Sequence, residues 1–333
     1  MALEKTIDVL GIGNAIIDVL ANADENFLSK YALNKGSMTL VDSETSNKIY
    51  SSMNNKVQMS GGSAANTIFG LSQLGCKGAF IGKRSNDELG NIFYSDLKQS
   101  NIIFNTLPLQ TGEPSARCLI MVTSDAERTM ATFLGSSSKL KAEDINEKDI
   151  EASKIIYLEG YLFDPPEAQE AFILAAEFAK KHDSKVSFTL SDAFCVERHK
   201  EKMRSFVQNN VDILFCNEGE LKALYDSTSI DNAIKSLKDE VEIGVVTKGA
   251  KGAIIVEKDS AHEIEAFQTS VIDTTGAGDF FAAGFLAGIS KSYNLVKAGM
   301  LGAACSSEII SHYGGRPENE LREYVKNKAG LDI

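Results

Sequence analysis

From residue 154 onward the chain alternates short apolar runs with longer stretches of helical periodicity. "KIIYLEG" (154–160) predicts a strand, followed by a proline-started helix over about 166–181. "KVSFTL" (185–190) predicts a second strand, ahead of a charged helix near 198–209. "VDILFC" (211–216) predicts a third, leading to a helix from Glu218 and another near 230–239. "IGVVTKG" (243–249) and "GAIIV" (252–256) are the next strands, and two helices rich in small residues follow at about 277–289 and 293–310. Apolar, β-branched strands alternating with helices of this length predict an α/β fold, with a mostly parallel central sheet and helices on both faces.

Two regions break the pattern. Residues 14–42 and 101–134 hold alternating extended segments, notably "SARCLIMVTS" and "ERTMATFLG", joined through the turn-like "SDAE". They predict a small β-rich appendage, and one built from two separated segments is suited to be a lid over a cleft. Without repeats, low-complexity tracts or linkers, residues 1–333 are expected to form one domain carrying that lid.

Four stretches carry candidate chemistry. In "DTTGAGD" (273–279), Asp279 follows Gly276, Ala277 and Gly278 as an apolar helix begins. An acid in a first helical turn can simply cap backbone N–H groups, but two glycines are needed only where backbone must approach a ligand closely. "SGGSAANTIFGLSQLG" (60–75) starts a helix behind Gly61 and Gly62. That is a plain glycine-rich helix start, or a place where Ser63 and Asn66 meet a polar substrate. "CNEGE" (216–220) has Asn217 and Glu220 at the spacing of a capping box, which is also an arrangement able to hold hydrated Mg²⁺ beside phosphates. In "GNAIIDVLA" (13–21), Asp18 interrupts an apolar run and needs either solvent at a sheet edge or partners in a cleft.

Other phosphate motifs are missing. "GAFIGKR" (78–84) has the wrong spacing for G-x-x-x-x-G-K-[ST], and "GIGNAI" (11–16) and "GAGDFF" (276–281) lack the third glycine of a dinucleotide fingerprint. Protein-kinase signatures are absent as well.

Composition narrows the partners. A formal charge of −12 argues against nucleic acid, and the basic run "ERHKEKMR" (197–204) alternates signs as a solvated helix does. No apolar stretch approaches the ~20 residues of a membrane span, and because "MALEKTIDVL" passes straight into a strand-like run no signal peptide is expected. Five scattered cysteines without C-x-x-C suit reduced thiols in a cytoplasmic protein, and none of the four histidines has metal-ligand spacing.

Taken in order, "GG-x-x-x-N" near residue 61, "N-x-x-E" at 217–220 and "DTTGAGD" resemble the ribokinase-like (PfkB-type) family of sugar and nucleoside kinases. "TKGAKG" (247–252) is similar to that family's nucleotide-side turn, and the likeness runs nearly end to end. "GNAIIDVLA", the "SGGS" helix start and "VDILFCNEGE" resemble adenosine kinases more than ribokinases. Ala64 and Ala65 after Ser63 offer no polar contact, which leaves recognition to Asp18, Ser63 and Asn66.

The resemblance implies ATP-dependent phosphorylation of a hydroxyl, most simply the 5′-hydroxyl of adenosine or a related nucleoside. Alternatives are a sugar kinase acting on ribose or fructose and an idle binding protein of the same fold. It implies Asp279 as base in a catalytic element that includes Gly276, with an anion hole of backbone N–H groups around Ala277, Gly278 and Asp279, and Arg128 on the transferring phosphate. Asn14, Asp18, Gly62, Ser63 and Asn66 would hold the acceptor's ribose, with Met130, Phe133 and Leu162 as apolar contacts for a base. Asn217, Thr247, Lys248, Gly249 and Gly252 would lie on the ATP side. Asn217 and Glu220 would organise Mg²⁺ through water. Asp273 and Thr275 would serve a monovalent cation such as K⁺, used by many but not all members. A monomer or homodimer is expected.

Overall fold

The computed structural model of the chain describes residues 5–125 and 127–333. Thirteen strands form among them: β1 (Ile7–Ile12), β2 (Ile16–Asn22), β3 (Met38–Leu40), β4 (Val57–Gly61), β5 (Gly78–Ile81), β6 (Ala116–Val122), β7 (Arg128–Phe133), β8 (Ser153–Glu159), β9 (Lys185–Thr189), β10 (Ile213–Asn217), β11 (Ile243–Thr247), β12 (Ala253–Val256) and β13 (Ala261–Ile264). Eight of them make one sheet in the order β13-β12-β11-β10-β9-β8-β1-β5. Six of these run parallel, and β12 and β13 add an antiparallel margin. The fold is α/β with a mostly parallel central sheet, as expected, with β13 as a strand that the polar "AHEI" pattern does not announce.

Alternation along the buried strands builds two cores. Val9, Ile155 and Tyr157 point to one face, where helices Ser63–Gln73, Ala277–Ser290 and Leu295–Ile309 cover them. Leu10, Ile156 and Leu158 point to the other, beneath helices Pro166–Lys181, Ala193–Asn210 and Ile230–Glu240. Helix Ala193–Asn210 starts earlier than its charge pattern predicts. Asp192 caps it, accepting from the N–H groups of Phe194 and Cys195, and it kinks at His199. No helix of the described residues is long and apolar enough to cross a membrane.

The remaining five strands form a second sheet, β3-β7-β6-β2-β4. Its strand β4 falls outside the two segments 14–42 and 101–134, because "VQMSG" precedes the helix start and carries its own pairing with β2. Residues 101–115 give no strand to this sheet. They run as irregular chain, bridged to the large sheet at Ala79–Ile103 and along its margin at Ser85–Leu109.

Register sorts the side chains of the second sheet into rows. Met59, Asp18, Cys118, Thr132 and Leu40 share one row, and Val57, Leu20, Ile120, Met130 and Met38 share the next on the same face. The opposite face carries Ile17, Val19, Leu119 and Ala131 into the core that also holds Leu28, Ile49 and Met53.

Candidate active site

Asp279 lies in the first turn of helix Ala277–Ser290, behind an N-cap Gly276 at φ 78°. That left-handed conformation is open to glycine and strained for other residues. Ser63 Oγ donates to Asp279 Oδ1 (2.6 Å) and Asn66 Nδ2 to Oδ2 (3.0 Å), while Thr67 Oγ1 reaches its carbonyl (3.1 Å). Two helix N-termini are thereby stitched at their tips. Burial pushes the Asp279 carboxyl above the usual range, against these hydrogen bonds and the positive charge of Arg316. Ser63 and Asn66, expected to face the acceptor, thus hold the carboxylate, and Asn66 Oδ1 remains buried without a partner among the described residues.

At the same helix start, the Ala277 N–H donates to the Thr274 carbonyl (3.2 Å). The Gly278 and Asp279 N–H groups find no protein acceptor among the described residues. A Cβ placed on Gly278 would meet nothing within 4 Å, so the space before these donors is open. An exposed helix N-terminus of this kind suits an anion.

Asp18 stands across from Asp279 on β2, half-buried. Burial lifts its carboxyl to about 6, Asp279 adds to the rise, and Arg316 and Arg128 oppose it. Gly61 makes room for it: a Cβ there would lie 2.4–2.6 Å from Asp18 Cγ and both carboxylate oxygens. Gly62 has φ 92°, and its Cβ would sit 2.5 Å from the Asn14 carbonyl oxygen. Asn14 is buried and gives its Nδ2 to Glu159 Oε1 (2.5 Å).

Arg128 leaves the start of β7 and reaches the main body, where its Nη1 pairs with Asp273 Oδ2 (2.7 Å). Its Nε and Nη2 are buried and unpartnered among the described residues. Asp273 also accepts from the Gly314 N–H (3.0 Å), the Thr275 N–H (3.1 Å) and Thr275 Oγ1 (2.8 Å). Its carboxylate is therefore saturated by this chain's own donors, one of them a guanidinium, and does not fit a monovalent-cation site as arranged.

Asn217 and Glu220 form a complete capping box: Asn217 Oδ1 accepts from the Glu220 N–H (2.9 Å), and Glu220 accepts from the Asn217 N–H (3.0 Å) and Nδ2 (2.6 Å). Burial raises the Glu220 carboxyl to about 7, with Asp192 contributing. Among the described residues no cluster of three or more His, Cys, Asp or Glu could hold a metal. The donor set fits a hydrated Mg²⁺ gripped through water, because each carboxylate oxygen keeps a further lone pair, and does not fit a direct inner shell. Beyond it, Thr247, Lys248, Gly249 and Gly252 form the turn between β11 and β12, with Lys248 paired to Glu263 and open space over Gly249.

Two of the apolar positions face elsewhere. Leu162 is 1% exposed and packs in the core beneath helix Pro166–Lys181, not under the second sheet. Phe133 pairs with Arg117, whose side chain bonds Ser46 Oγ (2.7 Å) and Asn47 on the helix side, so it lies on the face opposite Asp18. Only Met130 shares the face of Asp18.

A matching family model, pfkB family carbohydrate kinase, spans residues 37–321. The chain belongs to the pfkB family of carbohydrate kinases. An adenosine kinase from Sinorhizobium meliloti superposes on this pfkB chain with TM-score 0.89 at 38% identity, covering 97% of this chain and 99% of that one. A probable sugar kinase from Rhizobium etli CFN 42 does so with TM-score 0.90 at 37% identity, covering 98% and 99%. The guanosine-inosine kinase of Escherichia coli K12 is 29% identical over 255 residues, 73% of this chain. That match spans little more than half of the enzyme, 58% of its length.

Two site residues of this pfkB chain escape sequence reasoning. Glu159, at the end of β8, accepts from Asn14 Nδ2 and from the Ala64 N–H (2.9 Å), and burial raises its carboxyl to about 7. It ties the β1–β2 junction to the start of helix Ser63–Gln73. Arg316 enters from a loop after helix Leu295–Ile309 and stacks over Phe69, with Cζ 3.8 Å from the ring centre. A lone charge at a strand end and one in a loop carry no local signal of where the fold will bring them.

Proposed function

We propose that the chain works as one kinase domain with the second sheet as its lid, transferring phosphate from ATP to the 5′-hydroxyl of adenosine or a related nucleoside. The observation that carries the acceptor is the apolar row beside Asp18. Met38 and Val57 in that row, and Leu40 in the row of Asp18, are 51%, 56% and 57% exposed, an apolar surface in the mouth of an otherwise polar site. An ionised Asp18 can accept two bonds from the neighbouring 2′- and 3′-hydroxyls of a ribose, and the adjoining row then lies under a flat apolar base. A free sugar has nothing to set against that row.

ATP with Mg²⁺ supplies the phosphoryl group when bound. Asp279 takes the proton of the acceptor hydroxyl, held in place by Ser63 and Asn66. The free N–H groups of Gly278 and Asp279 face the transferred charge, and Arg128 offers Nε and Nη2. Asn217 and Glu220 would steady the hydrated metal ion, and the Thr247–Gly252 turn would lie along the nucleotide.

The test is ADP release with ATP and a panel of adenosine, guanosine, 2′-deoxyadenosine, ribose and fructose. Adenosine should exceed 2′-deoxyadenosine in kcat/KM by roughly ten- to a hundredfold, the worth of one charge-assisted hydrogen bond. Asp18→Ala should weaken adenosine and close much of that gap. Ribose or fructose turning over far faster than adenosine would replace this reading with a sugar kinase.

A further inference from the structure

Arg316 reaches the site through Gly314 and Gly315, and a Cβ on Gly315 would sit 3.5 Å from Asn66 Nδ2. Its Nε and Nη2 donate to the Ser60 carbonyl (3.1 and 2.6 Å), and Nη2 also to Ser60 Oγ (2.7 Å). With Phe69 against its flat face, the guanidinium is fixed on two sides. Its Nη1 is buried and has no partner among the described residues. The charged groups facing it are Asp18 from β2, Asp279 from helix Ala277–Ser290 and Asp96 from helix Glu88–Gln99, with Arg128 acting on Asp18 from β7. Asp96 already accepts the Ser60 N–H (2.8 Å).

A loop tether needs only the bonds to Ser60. It does not account for a buried cation whose remaining donor is left without a partner among the described residues. Two acids in one pocket oppose each other's ionisation, and both ionise together readily only beside a cation. We infer that Arg316 is the counter-charge shared by Asp18 and Asp279, a positioning residue that keeps both carboxylates ionised. The inference rests on the roles proposed above for those two acids. Burial leaves the guanidinium at about 10, still charged at neutral pH, and its charge lowers both carboxyls.

The experiment compares Arg316→Gln, which can still bond Ser60 but is neutral, with Arg316→Lys, which keeps the charge and loses the fork. Turnover of adenosine with ATP is measured from pH 5 to 9, with melting temperature alongside. In the Gln variant the acid limb of kcat/KM should move up by about one pH unit or more, the usual effect of losing an opposite charge nearby, with activity recovering toward pH 9. The Lys variant should keep the limb of the parent and raise KM. Glu220 feels neither Arg316 nor the two acids, so its titration is common to all three profiles, whereas Glu159 feels the charge of Asp279 and follows it. A Gln variant reduced by one factor at every pH would overturn the inference and leave Arg316 a tether. If the parent phosphorylates ribose or fructose and no nucleoside, the acceptor reading fails by itself, and the same comparison with that sugar still decides Arg316.

Discussion

Replacing Gly61 by alanine tests the acceptor pocket through a single methyl group. The new Cβ would lie 2.4 Å from Asp18 Cγ, and ordinary contact begins near 3.4 Å, so the carboxylate must retreat by about an ångström. Gly61 has no positive φ, and the obstacle is the end of a side chain in a half-open cleft. The backbone therefore needs no strain, and stability should change by less than about 1 kcal/mol, the low end of overpacking. Displacing one charge-assisted contact is worth about 1.5–3 kcal/mol, so kcat/KM for adenosine should fall roughly ten- to a hundredfold, mainly through KM. Gly62→Ala is the contrast. Its φ of 92° and the Asn14 carbonyl at 2.5 Å put backbone against backbone. Strain of about 1–3 kcal/mol should lower Tm by several degrees. Steady-state kinetics and a melting curve on each variant decide it. A Gly61→Ala enzyme with the KM of the parent would refute the placement of Asp18 at the acceptor.

Asp279→Asn should reduce kcat by at least roughly 10²-fold, the low end for a positioned base, with ATP affinity measured by calorimetry little changed. Glu220→Gln keeps a helix cap but loses the charge, so it should raise the Mg²⁺ concentration for half-maximal rate while Tm holds; an unchanged Mg²⁺ dependence would leave the capping box as its whole role. Glu159 has a folded carboxyl at about 7, above its value of 4.5 in an unfolded chain, so the unfolded state releases its proton first as pH rises. Stability should therefore fall between about pH 5 and 7, and Glu159→Gln should flatten part of that slope in melting curves taken across the range; a slope identical in both proteins would remove Glu159 as its source.

The alternation of "KIIYLEG", "KVSFTL" and "VDILFC" with helical runs made the large sheet legible, since buried parallel strands are apolar on both faces. That Asp279 opens a helix was legible in "GAGD", where two glycines and an acid stand directly ahead of an apolar run, and the structure places it in the first turn behind a left-handed Gly276. Phe133 and Leu162 were not. Which face a strand residue takes depends on register, and Phe133 differs from Met130 only by an odd step along β7. Residue type near a motif says nothing about that parity. Glu159 and Arg316 were invisible for another reason: their partners lie 95 and 256 residues away in sequence.

The apolar row of the second sheet also bears on how such a kinase changes over time. Val57 and Met38 are more than half exposed, and with Leu20 and Met130 they lie outside both core clusters, so exchanging them removes little that holds the fold together, while Ile120 between Leu20 and Met130 is buried. Asp279 is in the opposite position, bonded to a second helix through Ser63 and Asn66. On the function proposed above, acceptor preference can drift within a lineage at small expense in stability, while Asp279 stays anchored. Relatives of nearly the same backbone can then diverge in what they phosphorylate, with the divergence concentrated on one exposed sheet face.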